Sequence, residues 1–496
     1  MKIRFVIRLS SVLLALLLTA GIFAGCAKDN SELTTKPSTS ALAEVSDVAS
    51  LTDETSEEEE KPSISAERLA GRFVIASGYV TETKYTSNLI AAEEFNGDVI
   101  NDAIVRRTIR LEEDLGIEIE VLDVNYSTIN KVTGSGERPY DIGTATLSEI
   151  MNVVNAGSTV DLRALDNAEL DRPWWDQNAN SKFKIGKRLY YTLSDFFITG
   201  IDNSRCVYFN KELAGSVGYP DVYSLVSDNA WTIDKMKEMS LLAVDNLNGD
   251  DTLDENDRLG IVNNATTLYE VMLTGCDAEI IKLNGDGLPY FVPYDETEWF
   301  ITVYNRLIDV FSKDKHYLVT STDVGRRMFS SGQALFTTDT MFLCSSMRMN
   351  SGIEFGIMPV PKYSVDQEKY LHVSPNPDVF FIIHSGDSDD LERIAGILNY
   401  ASFYSSEYYA DDALMPCYFE VALTTKSAPD YASSNNLHLV HDNISYVIKI
   451  VGTDLSNAIY TKFKNGSTDL SDIYKSTKTQ NQKNLEKVLR SLGAIN

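Results

Sequence analysis

The sequence predicts an α/β protein built as two lobes, and three observations predict it. The folded part opens with a strand–helix–strand unit, the composition changes abruptly near residue 70, and over 420 residues come after that change. One compact core seldom holds so long a chain, so two lobes are expected. Within the opening unit, Arg72-Phe73-Val74-Ile75-Ala76-Ser77-Gly78 reads as a strand running into a glycine turn. Ile104, Thr108, Leu111 and Leu115 then recur at the spacing of one helix face, and Gly116 stands where a left-handed residue ends such a helix. Ile117, Ile119 and Val121 alternate with Glu118 and Glu120, the period of a second strand. A helical crossover joins parallel strands, so a mainly parallel sheet is expected. Tyr140-Asp141-Ile142-Gly143 supplies a further strand leading into a loop.

Residues before the folded part read as an export and attachment device. Lys2, Arg4 and Arg8 precede the apolar run from Leu9 to Ala20, which is too short to span a bilayer and fits a secretory signal. Gly21-Ile22-Phe23-Ala24-Gly25-Cys26 is similar to a lipobox, with Phe23 where Leu is usual. Residues 1–25 are therefore expected to be a lipoprotein signal peptide, and Cys26 to carry palmitate-type acyl chains, at about 0.8 kcal/mol per buried CH₂. That places the protein on the cell membrane facing outside the cytoplasm, held by lipid alone. Residues 26–70 form an expected disordered acidic tether. From Ala27 to Leu69 there are eleven acids, four bases and no aromatic residue, too little apolar surface to offset the entropy of ordering.

Charge and motif content then exclude several classes. The net charge is −28, and removing the three bases and no acids of residues 1–25 takes it to −31. So acidic a chain repels nucleic acid and anionic lipid surfaces. Cys206, Cys276, Cys344 and Cys417 are far apart with no CxxC, so no pairing is assigned and thiolate metal sites are unsupported. The sequence lacks a Walker loop, GxGxxG after a strand, HExxH and GxSxG. His438 and His441 alone are close, and two histidines make half a zinc site at most. No carboxylate pair among 72 acids is singled out for glycoside hydrolysis.

Several segments in order carry a resemblance. Cys206-Val207-Tyr208-Phe209-Asn210-Lys211-Glu212-Leu213 is a hydrophobic strand ending in an aromatic-Asn-Lys turn. Trp231-Thr232-Ile233-Asp234-Lys235-Met236 comes next, with Thr232 as helix N-cap. Gly332 to Asp339, Phe355 to Pro361 and Cys417 to Lys426 continue the series. Together they resemble the extracellular solute-binding proteins of ABC importers, in the group that includes oligosaccharide binders. The resemblance implies a type II periplasmic-binding-protein-like fold with a hinge. It implies one lobe from residues 71–203 plus 377–414 and another from 206–374 plus 416–496, with Ser374-Pro375-Asn376-Pro377 leading into the second crossing. It also implies a monomer that is not an enzyme and that delivers a small solute, a carbohydrate first, to permease subunits. An exported carbohydrate-active hydrolase and a sensing or adhesion lipoprotein of the same fold are the alternatives.

By the same resemblance the ligand cleft lies between the loop after Ile142, the crossing at Asp202 and Asn203, and the loop after Phe336. Thr144 and Thr146 stand on alternate positions of the first, and Thr338 and Asp339 lie on the last, beside Thr337. Asp339 is either the charged acceptor for a ligand hydroxyl or a turn residue capping the next segment. Trp174 and Trp175 are candidates for stacking on a sugar ring, with core packing as the other reading.

One further pattern concerns a cation. From Asn246 a twelve-residue loop places Asn246, Asn248, Asp250, Thr252, Asp254 and Asp257 at positions 1, 3, 5, 7, 9 and 12, the spacing of a chain wrapped round calcium. Asn at position 1, Asp251 in place of Gly and Asp at position 12 depart from that pattern. A structural calcium is expected, with an acidic turn that binds nothing as the alternative.

Overall fold

The opening crossover forms as its periods require. In the computed structural model β1 (Gly71–Ser77) and β2 (Ile117–Asp123) pair in parallel, from Gly71 opposite Ile117 to Ser77 opposite Asp123. The helix Val99–Leu115 between them starts at Asp98, whose carboxylate accepts from the N–H groups of Ile100 and Asn101. It stops at Gly116, whose φ of 64° costs an L side chain and suits glycine. Ile104, Leu111 and Leu115 are buried on its inner face. The structure describes residues 61–496 apart from 79–89, 93, 251, 312–315, 385–386 and 451–452. Cys26, the signal segment and most of the acidic tether lie outside the described residues. The described residues make one compact unit.

β3 (Ile142–Thr146) pairs in parallel with the other side of β1. The chain then winds through short helices and enters a second sheet on β4 (Arg205–Asn210). Along β4 the side chains alternate between two cores: Cys206 and Tyr208 pack into one, Val207 and Phe209 into the other. Asn210 ends the strand and caps the helix Lys211–Ser216 by accepting from Leu213 N–H. Thr232 caps Ile233–Leu242 in the same way, its hydroxyl accepting from Lys235 N–H. β5 (Leu259–Asn263) comes next, then the hairpin of β6 (Ile281–Leu283) and β7 (Pro289–Phe291), then β8 (Tyr317–Val319), β9 (Ala334–Thr340) and β10 (Phe355–Met358). The second sheet has the order β10-β4-β9-β5-β8. β4 runs antiparallel to both its neighbours, whereas β5 is parallel to β9 and β8.

β11 (His372–Ser374) leaves this lobe and pairs in parallel with β13 (Ile444–Tyr446), and between them in sequence β12 (Asp378–Ile382) returns to β3. Asp378 lies opposite Thr146 in an antiparallel pairing, and the first sheet therefore reads β12-β3-β1-β2. Its strands come from residues 71–146 and 378–382, those of the second sheet from 205–358.

The segment Cys417–Ser427 is a π-helix. It lies against elements of both lobes: Arg106 of the first donates to Cys417 Sγ, and Cys344 of the second donates to the carbonyl of Ser427 at 3.2 Å. All four cysteines of the described region are buried and unbridged. Among the described residues no helix is long and apolar enough to cross a membrane.

Candidate functional site

The two sheets and the crossings between them enclose a cavity of about 350 Å³. Each wall is brought there by a strand end or a crossing. β3 ends at Thr146, the first crossing contributes Asp202, Asn203 and Arg205, and the second contributes Asn376 and Asp378. β9 ends with Thr338, Asp339 and Thr340, β5 ends at Asn263, and the helix Thr322–Ser330 presents Thr322 and Arg326. Strand ends gather here because loops at one edge of a sheet are free to carry polar groups that a core would exclude.

The floor is an ion-pair cluster. Asp339, 3% exposed, accepts two bonds from Arg326, Nε to Oδ2 at 2.7 Å and Nη2 to Oδ1 at 2.8 Å. The Thr340 N–H donates to Oδ1 at 2.7 Å, and Arg205 Nη1 reaches the same oxygen at 3.4 Å. Burial pulls the Arg205 guanidinium below its usual pKa, against the raising effect of Asp339 and Glu270. Nearby, Asn263 donates its amide to Thr338 Oγ1. Asp202 is buried and accepts from the Tyr418 hydroxyl at 2.7 Å, while Thr199 Oγ1 donates to the Asp378 carbonyl at 3.0 Å. Among the described residues, Phe342 is the one aromatic side chain of this lining.

Of the residues expected in the cleft, Thr146, Asp202, Asn203, Thr338 and Asp339 line this cavity. Thr144 does not. Its hydroxyl donates to Ser77 Oγ at 3.1 Å inside the first lobe, where β1 lies beside β3. The expectation that Trp174 and Trp175 stack on a ligand is corrected by their burial, at 0% and 2% exposure. Both indole N–H groups donate to Asn399 Oδ1, at 2.6 and 3.3 Å, and the rings pack on Phe403 and Phe380. A ring satisfied at its edge and covered on its faces has no side left for a sugar.

Arg205, Arg326, Asn263 and Asn376 were not anticipated. Each looks like an ordinary polar residue in sequence, and only the pairing of β4 with β9 sets Arg205 beside Asp339. Arg205 immediately precedes the crossing-strand motif, which was the available signal.

The loop 246–257 is closed by its own hydrogen bonds. Asp257 is buried, and its carboxylate accepts from the N–H groups of Leu247 at 2.8 Å and Asp254 at 3.0 Å. These backbone donors hold its pKa below the usual carboxylate range, Asp254 N–H foremost. Asn246 accepts from Gly249 N–H and donates to the carbonyl of Asp250, and Asp250 Oδ1 accepts from Thr252 N–H at 2.7 Å. Asp254 Oδ1 accepts from Asn256 N–H. Among the described residues no group of three or more His, Cys, Asp or Glu side chains is placed to hold a metal ion. Asp257 in this arrangement serves the backbone and would have to turn to ligate calcium. His438 and His441 share one helix and both pack on Phe419.

No family model and no curated protein matches the chain. Solved structures do match. The cyclic α-maltosyl-1,6-maltose binding protein from Arthrobacter globiformis aligns with a TM-score of 0.55 and 13% identity, covering 84% of this chain and 99% of that one. UgpB from Mycobacterium tuberculosis in complex with glycerophosphocholine gives 0.51 and 12%, covering 85% and 99%. A cyclo/maltodextrin-binding protein complexed with maltotetraose gives 0.50 and 12%, covering 85% and 96%. At such identities likeness speaks to fold, and the chain has the two-lobed α/β fold of these solute-binding proteins.

Proposed function

We propose that the protein captures a small solute, a carbohydrate first, and delivers it to the permease subunits of an ABC importer. The observation that carries this reading is the polar cavity at the junction of the two lobes, walled by strand ends of both sheets and by both crossings. Its volume lies near the lower end of small-molecule sites, roughly 300–1,000 Å³. Hydroxyls, amides and an arginine–carboxylate cluster are groups that pair with sugar hydroxyls, and the aligned proteins include binders of maltose-type sugars. The lipid anchor at Cys26 and a monomeric, membrane-attached state belong to the same reading, which mass spectrometry of the membrane fraction tests. An unmodified Cys26 there contradicts it. A structural calcium at 246–257 is a separate proposal, and chelation tests it.

The function is tested by melting residues 61–496 against a panel of sugars, glycerophosphodiesters and peptides, since a ligand of the folded state stabilises by RT ln(1 + [L]/Kd). A sugar that raises the melting temperature and is recovered unchanged supports capture. Recovery as hydrolysis products supports the exported hydrolase instead, and stabilisation by a non-sugar alone moves the substrate class.

A further inference from the structure

Resting on the reading of the cleft as a sugar site, we infer that its ligand is an acidic sugar whose anionic group pairs with Arg205. Three observations carry this. Asp339, the carboxylate shared by the two guanidinium groups, is already occupied: Arg326 holds both its oxygens at 2.7 and 2.8 Å, and Thr340 N–H donates at 2.7 Å. Arg205 is left with one long bond to it, at 3.4 Å, and its Nε is buried with no hydrogen-bond partner. The Arg205 side chain is 18% exposed, and what it exposes lines the cavity.

That Nε is closed to solvent, so what Arg205 offers a ligand is the part of its guanidinium that faces the cavity, where one long bond to Asp339 leaves donors available. Arginine's planar fork matches a carboxylate or a phosphate ester, and both chemistries are met on sugars. The remainder of the lining restricts what else the ligand is. Thr146, Asn203, Asn263, Thr322 and Thr338 offer neutral hydrogen-bonding groups for hydroxyls, Asp202 and Asp378 add two carboxylates, the first engaged by the Tyr418 hydroxyl, and Phe342 is the one described residue there with an aromatic face. A short, hydroxyl-rich, anionic solute meets both conditions. A long neutral glucan, which depends on repeated aromatic platforms, does not.

The test is calorimetry on residues 61–496 with matched probes: digalacturonate against galactobiose, and glucose 6-phosphate against glucose. The expected result is a preference for the acidic member of at least one pair of roughly 10- to 150-fold, falling with added salt. The pair that shows it identifies a carboxylate or a phosphate ester as the source. Arg205→Gln is expected to abolish the preference, and Arg205→Lys to keep part of it. Should the Gln variant fail to fold, the wild-type comparison and the Lys variant decide. Equal or tighter binding of the neutral members overturns this inference and leaves sugar capture standing. A preference that survives in Arg205→Gln overturns the role of Arg205. Binding of none of the four overturns the inference, and if no sugar is active in the melting panel either, the reading beneath it falls as well.

Discussion

Two clusters were expected to hold ligand, Trp174-Trp175 and Thr338-Asp339, and the fold treats them oppositely. The tryptophans have the surfaces that sugars stack on, yet they sit in the first lobe with their N–H groups on Asn399 and no exposed face. Thr338 and Asp339 are nearly as buried, at 2% and 3%, yet they end a strand and line the cavity between the lobes. Burial does not separate core from site here. What separates them is whether the element ends at the junction of the lobes or runs through a lobe's interior.

Truncating one member of each cluster separates packing from binding. Trp174→Ala is expected to destabilise the protein by about 3–5 kcal/mol in urea titration, through lost packing and a cavity, while any folded fraction binds ligand unchanged. Equal loss of stability and affinity would return Trp174 to the site. Asp339→Ala should cost less, about 2–3 kcal/mol, because Arg326 is 32% exposed and partly solvated once its partner is gone. Unlike the tryptophan change, it should also change ligand affinity by calorimetry, since it alters the charge beside Arg205. Unchanged affinity would confine Asp339 to the fold.

The loop 246–257 offers a gentler contrast, a cluster of acids outside the cleft. Asp257 has its pKa lowered by backbone N–H donors, so its contribution is present above the unfolded carboxyl value near 3.9 and is lost as pH falls through the lower folded value. Asp257→Asn should therefore lower the melting temperature at pH 7, and the gap to wild type should close below about pH 4. A gap that is constant with pH would deny the carboxylate that role. The smallest expected effect is that of chelator. If calcium recruits Asp250 and Asp257, EDTA lowers the melting temperature and Asp250→Ala removes the sensitivity. Identical melts with and without EDTA leave an acidic turn closed by its own hydrogen bonds.

Much of the fold was legible because local chemistry and fold agree. Gly116 ends its helix at positive φ, Thr232 caps the helix Ile233–Leu242, and the alternation along 117–123 matches its parallel pairing. The π-helix Cys417–Ser427 was not legible. It has no marked apolar face, and its form depends on neighbours in both lobes. Nor was the charge arrangement of the cleft. Arg205, Arg326 and Asp339 meet only after β4 pairs with β9 and the helix Thr322–Ser330 packs on that sheet. Thr144 failed for a related reason, since two residues on one strand face share a direction but not a neighbour.

The most direct test of the central claim, that ligand binds where the strand ends of both lobes meet, is hydrogen exchange with and without the sugar that stabilises in the melting panel. New protection is expected at residues 202–205, 322–326 and 338–342, with residues 170–176 unchanged. Protection centred on 170–176, with the first three segments unaffected, would contradict it.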